Sequence, residues 1–396
     1  MPELFPFFLI LFVALFFSEA FSRINMPWVV ALIIGGIIIG PFGVDIFEPN
    51  ETVNLLGEIG LVFLMFMAGL EMRLSSLVNM KKEVARMSVL NGIIPFALGV
   101  GIGLYFGYGL LESLILGTVF ISSSVAVIVP SLKSNGLLET RLGKSIVASV
   151  MVEDIISLLF LSVILQSVTP LTAIPLPIFY FLLFASLAAL RWLLPRIRLF
   201  FFMLSREKAS LFEWELQAIF VILLGTVVFF QVIGLHSIIA GFFAGLVLAE
   251  SIKSDILMGK IRAIGYGFFI PIFFVLIGTK TNIGVFGETE GAILLVSVIC
   301  ISFIAVKFIT GWMAGRLNGF NQMESILVGG ATTPHLTTAL AVAATAFELG
   351  LFSRELVTAI VILSVVTIAI GPITVKLIKA RLNAGTLGPD VKYEEA

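Results

Sequence analysis

The sequence predicts an all-α polytopic membrane protein with about thirteen transmembrane helices, and three observations carry that prediction. Of its 396 residues 59% are apolar and only 12% charged, with a mean hydropathy of +1.14, whereas a soluble domain carries about 25% charged residues. Apolar runs close to the ~20 residues a helix needs to cross a bilayer recur along the whole chain. Lysine and arginine gather in alternate connections between those runs, which is the pattern of loops that face the cytoplasm in turn.

The runs fall at 4–22, 27–44, 53–72, 86–109, 112–132, 145–166, 172–194, 213–234, 236–250, 262–279, 291–313, 325–347 and 355–375. The second ("ALIIGGIIIGPFG") and ninth ("GLHSIIAGFFAGLVLA") are short or glycine-rich, and a count of twelve would merge or demote one of them. Thirteen spans place 21 of the 24 lysines and arginines on one side, from Arg23 to Lys392, with Lys280 and Arg354 on the other and Lys307 inside a span. Twelve would scramble that split. The basic side is the cytoplasm, so the N-terminus is expected outside and the C-terminus inside. The N-terminal run Phe5–Phe17 lacks a basic flank and reads as part of a first membrane helix, not a cleaved signal. The connection Arg191–Glu213 is basic and amphipathic; it reads either as a surface helix or as a solvated linker, and it divides the chain into halves.

Several function classes fall away on composition. A net charge of −1 offers nothing to nucleic acid. The single cysteine, Cys300, excludes an internal disulfide and argues against a thiolate metal site. There is no G-x-x-x-x-G-K-[ST] loop for a nucleotide, and neither an aspartate pair nor an H-E-x-x-H helix for an intramembrane enzyme. No cofactor is expected.

Ionisable groups at mid-bilayer cost about 2.5–3.5 kcal/mol each on insertion scales, so those present mark function. Three sit near mid-span: Glu153 and Asp154 in "SVMVEDIISLLF", and Lys307 in "AILLVSVICISFIAVKFITGWM". Adjacent helix positions point about 100° apart. One acid can therefore pair with Lys307 while the other lines a cavity. A carboxylate placed that way holds a proton or a cation, not both, and that competition is the core of cation/proton exchange.

Two spans carry helix-breaking text. "FISSSVAVIVPSL" contains Ser123, Ser124 and Pro130, and "GGATTPHLTTALAV" contains Thr333, Pro334 and His335. They occupy similar places in the two halves, each beside a span with buried charge. Paired interrupted helices point to an inverted repeat with a midplane site. His335 is a candidate pH sensor or a buried structural histidine.

With these residues in view, the chain resembles the monovalent cation:proton antiporters of the sodium/proton antiporter fold, thirteen-span branch. "INMPWVVALIIGGIIIGPFG", "LGEIGLVFLMFMAGLEMRLSSL", "SSVAVIVPSLKSNGLL", "GLHSIIAGFFAGLVLAE" and "PIFFVLIGTKTNI" are similar to family segments in the family's order. The resemblance implies two crossing broken helices and elevator-type alternating access without ATP. It implies a panel part near 1–75 and 213–280 that forms a homodimer, and a core part near 84–167 and 290–382. Residues 191–212 would be the cytoplasmic linker and 383–396 a short tail in a multi-pass protein of the plasma or inner membrane.

The resemblance also assigns roles. Asp154 takes the ion-binding place and alternately holds a proton, which makes it the site of the monovalent metal cation. Glu153 takes the paired-acid position, with Lys307 as its salt-bridge partner or a proton carrier. Ser123, Ser124 and Thr333 would complete an oxygen shell, and Pro130 and Pro334 would mark the helix breaks. The implied substrates are Na⁺ (or Li⁺, K⁺) and H⁺, exchanged electrogenically. Two departures stand out. Glu-Asp is not the family's commonest acid pair, and Pro334-His335-Leu336-Thr337 replaces the P-R-G-E of many members. A potassium/proton antiporter or potassium-efflux system is the alternative; members of that sort usually carry a large nucleotide-binding domain, where this chain has about 20 residues after its last span.

Overall fold

The structure, a computed structural model, describes residues 4–22, 27–71, 81–168, 177–186, 214–249, 254–284 and 291–383, with isolated positions 175, 188, 189, 192 and 252. Those residues are helical almost throughout. The chain divides into two compact units, one of Met1–Arg73 with Ser162–Thr281 and one of Leu74–Leu161 with Asn282–Ala396. The Arg191–Glu213 connection and the final tail lie outside the described residues, apart from position 192.

In the first unit α1 (Leu4–Ser22), α2 (Trp28–Ile39) and α3 (Glu51–Leu70) are followed, after most of the second unit's first half, by α8 (Pro177–Ser186), α9 (Trp214–Ile233), α10 (Ser237–Leu248), α11 (Asp255–Ile264) and α12 (Ile270–Lys280). Gly40 leaves the helix in an extended conformation and stops α2. Asn50 opens α3, its side chain accepting from Val53 N at 2.9 Å, as an N-cap asparagine does. A π-helical turn, Gly265–Phe269, joins α11 to α12 without a break. The tenth span is therefore one helix from Asp255 to Lys280, longer than the apolar run alone indicates. At 12 residues each, α2 and α10 are shorter than the spans read from sequence.

The second unit contains α4 (Lys81–Tyr105), α5 (Leu110–Ile121), α6 (Val125–Ser134), α7 (Arg141–Val168, which runs on past Leu161), α13 (Ala292–Leu317), α14 (Gln322–Ala331), α15 (Thr337–Glu348) and α16 (Arg354–Asn383). The fifth span is α5 and α6 with a gap at Ser122–Ser124; the twelfth is α14 and α15 with a gap at Thr332–Leu336. Pro334 explains the second gap, since proline lacks an N–H and disfavours helical backbone in the residue before it. Pro130 does not explain the first. It lies inside α6, and the chain leaves the helix upstream, where Ser122 and Ser124 are extended. The cause is tertiary: Ser124 N donates to Pro334 O at 2.7 Å, across the two gaps.

Both units are built from a repeated contact. In the first, a Cβ on Gly36 would strike Val275 O and one on Gly278 would strike Ile33 O; a Cβ on Gly69 would strike Phe242 O and one on Gly245 would strike Phe66 O. Each of these residues in α2 or α3 has its counterpart 209 positions later in α10 or α12 (33 and 242, 36 and 245, 66 and 275, 69 and 278). In the second unit an added Cβ stands 2.9 Å from the partner Cα both at Gly99, against Gly117, and at Gly311, against Gly329. Gly103 meets Ser113 as Gly315 meets Ser325, and the counterparts lie 212 positions apart. Small residues are what allow helices to approach this closely in lipid. Seven spans separate counterparts in the thirteen-span count, an odd number, so counterpart helices cross the membrane in opposite senses. This is the inverted repeat that the paired breaks foreshadow.

Candidate functional site

The functional side chains meet where the two interrupted helices cross in the second unit. Hydrogen bonds tie the breaks together. Ser124 N donates to Pro334 O, Ser123 Oγ lies 2.8 Å from Thr332 O, and His335 Nδ1 lies 3.0 Å from Ser122 O. A carbonyl only accepts, so the last bond puts the His335 proton on Nδ1. Thr367 Oγ1 of α16 accepts from His335 N at 3.2 Å, and the imidazole stands 4.5 Å from the Phe303 ring. His335 thus sits as a pin between the breaks. Thr333 donates back to Gly329 O at 2.8 Å.

Beside this crossing, α7 brings in the two acids and α13 the lysine. Glu153, Asp154 and Lys307 are 0%, 1% and 0% exposed. Lys307 Nζ makes three bonds, to Glu153 Oε2 at 2.9 Å, Ile121 O at 2.8 Å and Asn91 O at 3.0 Å. An ammonium has three donors, so none is left over. Ile121 is the last residue of α5. The charge therefore also meets the negative end of a helix dipole.

Glu153 is equally saturated. Asn91 Nδ2 of α4 reaches both its oxygens at 3.0 and 3.1 Å, and Ser123 Oγ lies 3.0 Å from Oε2. Ser123 has one proton and two acceptors in reach, Glu153 and Thr332 O, so it couples the acid to the second break. Asn91 Oδ1 in turn accepts from Thr310 Oγ1 at 2.8 Å.

Asp154 stands differently. Its Oδ1 is buried and makes no hydrogen bond, and Ser124 Oγ is likewise buried without a partner. Of the residues singled out in the sequence, the structure gathers Glu153, Lys307 and Ser123 into one bonded network, bonds His335 separately to Ser122 O and Thr367, and leaves Asp154 Oδ1 and Ser124 Oγ buried without a hydrogen bond. Pro130 stays outside the network. Sequence reasoning missed Asn91 and Thr310. The available signal was a lone asparagine in the fourth apolar run ("SVLNGIIPF").

Asn91→Ala removes both amide bonds to a buried carboxylate and opens a small cavity. The expected result is a loss of about 2 kcal/mol in stability, read as a lower unfolding midpoint in detergent; an unchanged midpoint would show that the amide does not hold the pair.

The fold and this crossed-helix site define a polytopic ion transporter. The sodium/hydrogen exchanger transmembrane family matches residues 8–380, and this chain belongs to that family. It is a membrane transporter and not an enzyme. It is 34% identical over 381 residues to a protein named Probable Na(+)/H(+) antiporter 3 of Methanocaldococcus jannaschii, covering 93% of this chain and 95% of that protein. It is 30% identical over 356 residues to the Na(+)/H(+)-K(+) antiporter GerN of Bacillus cereus, covering 88% and 89%. The structure of the sodium proton antiporter MjNhaP1 of M. jannaschii has the same fold, with a TM-score of 0.65 at 15% identity over 94% of this chain and 97% of that one.

Proposed function

We propose that the chain is a secondary antiporter that exchanges Na⁺, with Li⁺ as a further substrate, for protons. One observation carries the reading: a fully buried carboxylate oxygen of Asp154 has no partner, while the acid next to it is saturated by lysine, asparagine and serine. Asp154 binds the cation and the proton in turn. Glu153 and Lys307 form the compensating pair, and Lys307 carries the charge or proton that makes exchange electrogenic. Ser123, Ser124 and Thr333 contribute oxygens near the ion.

The unit that holds this site is the moving core in an elevator step, and the other unit is the panel through which two copies pair. The N-terminus faces outward and the C-terminus the cytoplasm, a reading that the distribution of basic residues supports. The 30% identity to a protein named as a Na⁺/H⁺-K⁺ antiporter favours K⁺ as the second reading.

Reconstitution in liposomes tests all of this. With an imposed acid interior, added Na⁺ is expected to dissipate the pH gradient, at a rate that changes when an ionophore clamps the voltage. Dissipation by K⁺ alone would favour the second reading. Absence of a response to Na⁺, Li⁺ and K⁺ alike would overturn the proposal.

A further inference from the structure

The two oxygens of Glu153 are not equivalent. Oε2 meets Lys307 Nζ at 2.9 Å, Ser123 Oγ at 3.0 Å and Asn91 Nδ2 at 3.1 Å. Oε1 bonds Asn91 Nδ2 alone among the described residues, at 3.0 Å. Oε1 is therefore the place where Glu153 could take a proton without displacing the lysine. An amide nitrogen donates and does not accept. The group standing there matches a carboxylate and offers nothing to a carboxylic O–H.

Asn91 is held in that orientation. Its Oδ1 lies 2.8 Å from Thr310 Oγ1 on α13, and turning the amide over would set Oδ1 against the carboxylate. Its backbone carbonyl accepts from Lys307 Nζ at 3.0 Å. One residue of α4, 1% exposed, thus touches both members of the ion pair. Packing α4 against α7 needs none of this. Ser88, three residues earlier, makes a contact of that plainer kind: its hydroxyl donates to Ser149 O at 3.2 Å. The charged or titratable groups that act on Glu153 are Lys307 on α13 and Asp154 next to it on α7; His335, at the second break, acts on the lysine.

We infer that Asn91 is a positioning residue of the exchange: it keeps Glu153 ionised and paired while Asp154 trades its proton for the cation, so that Na⁺ and protons compete at one carboxylate and not at two. This rests on the antiporter reading above. Removing the amide leaves Oε1 buried without a donor, and a proton then satisfies it. A protonated Glu153 no longer neutralises Lys307, and an uncompensated positive charge beside Asp154 opposes the cation. Exchange in such a variant must wait for a higher pH.

The test compares the parent with Asn91→Ala, Asn91→Ser and Ser88→Ala. Na⁺-driven proton movement is measured in proteoliposomes over a pH series, at saturating Na⁺ and a fixed pH difference. Asn91→Ala is expected to move the pH of half-maximal rate upward by about one unit, which is a tenfold change in proton binding. Its maximal rate at the alkaline end is expected to stay within about threefold of the parent's. Asn91→Ser, which keeps a shorter donor, is expected to shift the midpoint less and in the same direction. Ser88→Ala is expected to keep the parent's midpoint. A merely structural role for Asn91 scales the rate alike at every pH and leaves the midpoint in place. An unmoved midpoint in Asn91→Ala, or an equal shift in Ser88→Ala, would overturn the assignment. If Asn91→Ala fails to fold, Asn91→Ser is read by the same two outcomes. A parent that moves no protons in response to Na⁺ at any pH would sink the antiporter reading itself, whereas an exchanging parent with an unmoved midpoint in the variant sinks the positioning role alone.

Discussion

Asp154→Asn is expected to slow Na⁺-driven proton movement by about 100-fold or more, to the level of protein-free liposomes, while leaving the fold at least as stable as the parent. The two halves of this expectation have one cause. Asp154 is 1% exposed and its Oδ1 has no hydrogen-bond partner. Burying an ionisable group without full compensation costs stability. The amide keeps the shape and removes the ionisable proton. It therefore takes away the only group at this point that can exchange a proton for a cation, without removing a bond that holds helices together. A structural acid gives the opposite result, in which the fold weakens and transport falls only in proportion. The measurements are the rate of pH-gradient dissipation in proteoliposomes and the unfolding midpoint in detergent. Retained exchange would remove Asp154 from the centre of the mechanism, and a large loss of stability would reassign it to the architecture.

What the sequence makes legible follows from how each signal is encoded. Spans and buried charges are local facts. A run of apolar residues announces itself, and Glu153, Asp154 and Lys307 stand out because every other charge lies nearer a span end. The two breaks are legible as regions, but their edges are not. Pro130 marks the neighbourhood of the first break, whereas its position is set by Ser124 N reaching Pro334 O, some 210 residues away in sequence. The tenth helix begins earlier than its apolar run because α11 is amphipathic and continues through a π turn. Asn91 and Thr310 escape for a different reason. A single polar residue in an apolar span usually packs against a neighbouring helix, and only the fold shows that Asn91 bonds both oxygens of Glu153. The repeat is hidden as well, because its counterparts share small size and cap position, not side-chain chemistry. Gly99 and Gly311 match, while Ile33 and Phe242 do not.

Breaking the Glu153–Lys307 pair from either side is expected to cost about 3–5 kcal/mol in stability, because each single change strands a buried charge. Lys307→Met leaves the Glu153 carboxylate with only Asn91 and Ser123 as donors, and frees Ile121 O and Asn91 O. Glu153→Gln leaves the ammonium with its two carbonyls and without the carboxylate it contacts. The double change removes both charges at once, so its cost falls below the sum of the singles, by a coupling of roughly 2 kcal/mol. Part of the loss persists in the double variant, since Ile121 O and Asn91 O still lack their donor. Transport adds a second reading of the same series. Asp154 keeps its carboxylate in Lys307→Met, so Na⁺ still competes with protons there, but the charge that Lys307 contributes to the cycle is gone. Dissipation of the pH gradient is then expected to persist at a reduced rate and to become insensitive to the clamped voltage. Strict additivity of the two stability losses would mean that the 2.9 Å contact contributes no coupling. Voltage sensitivity equal to the parent's in Lys307→Met would place the transported charge elsewhere. The two outcomes are independent, so the series separates the lysine as a structural counter-ion from the lysine as a carrier.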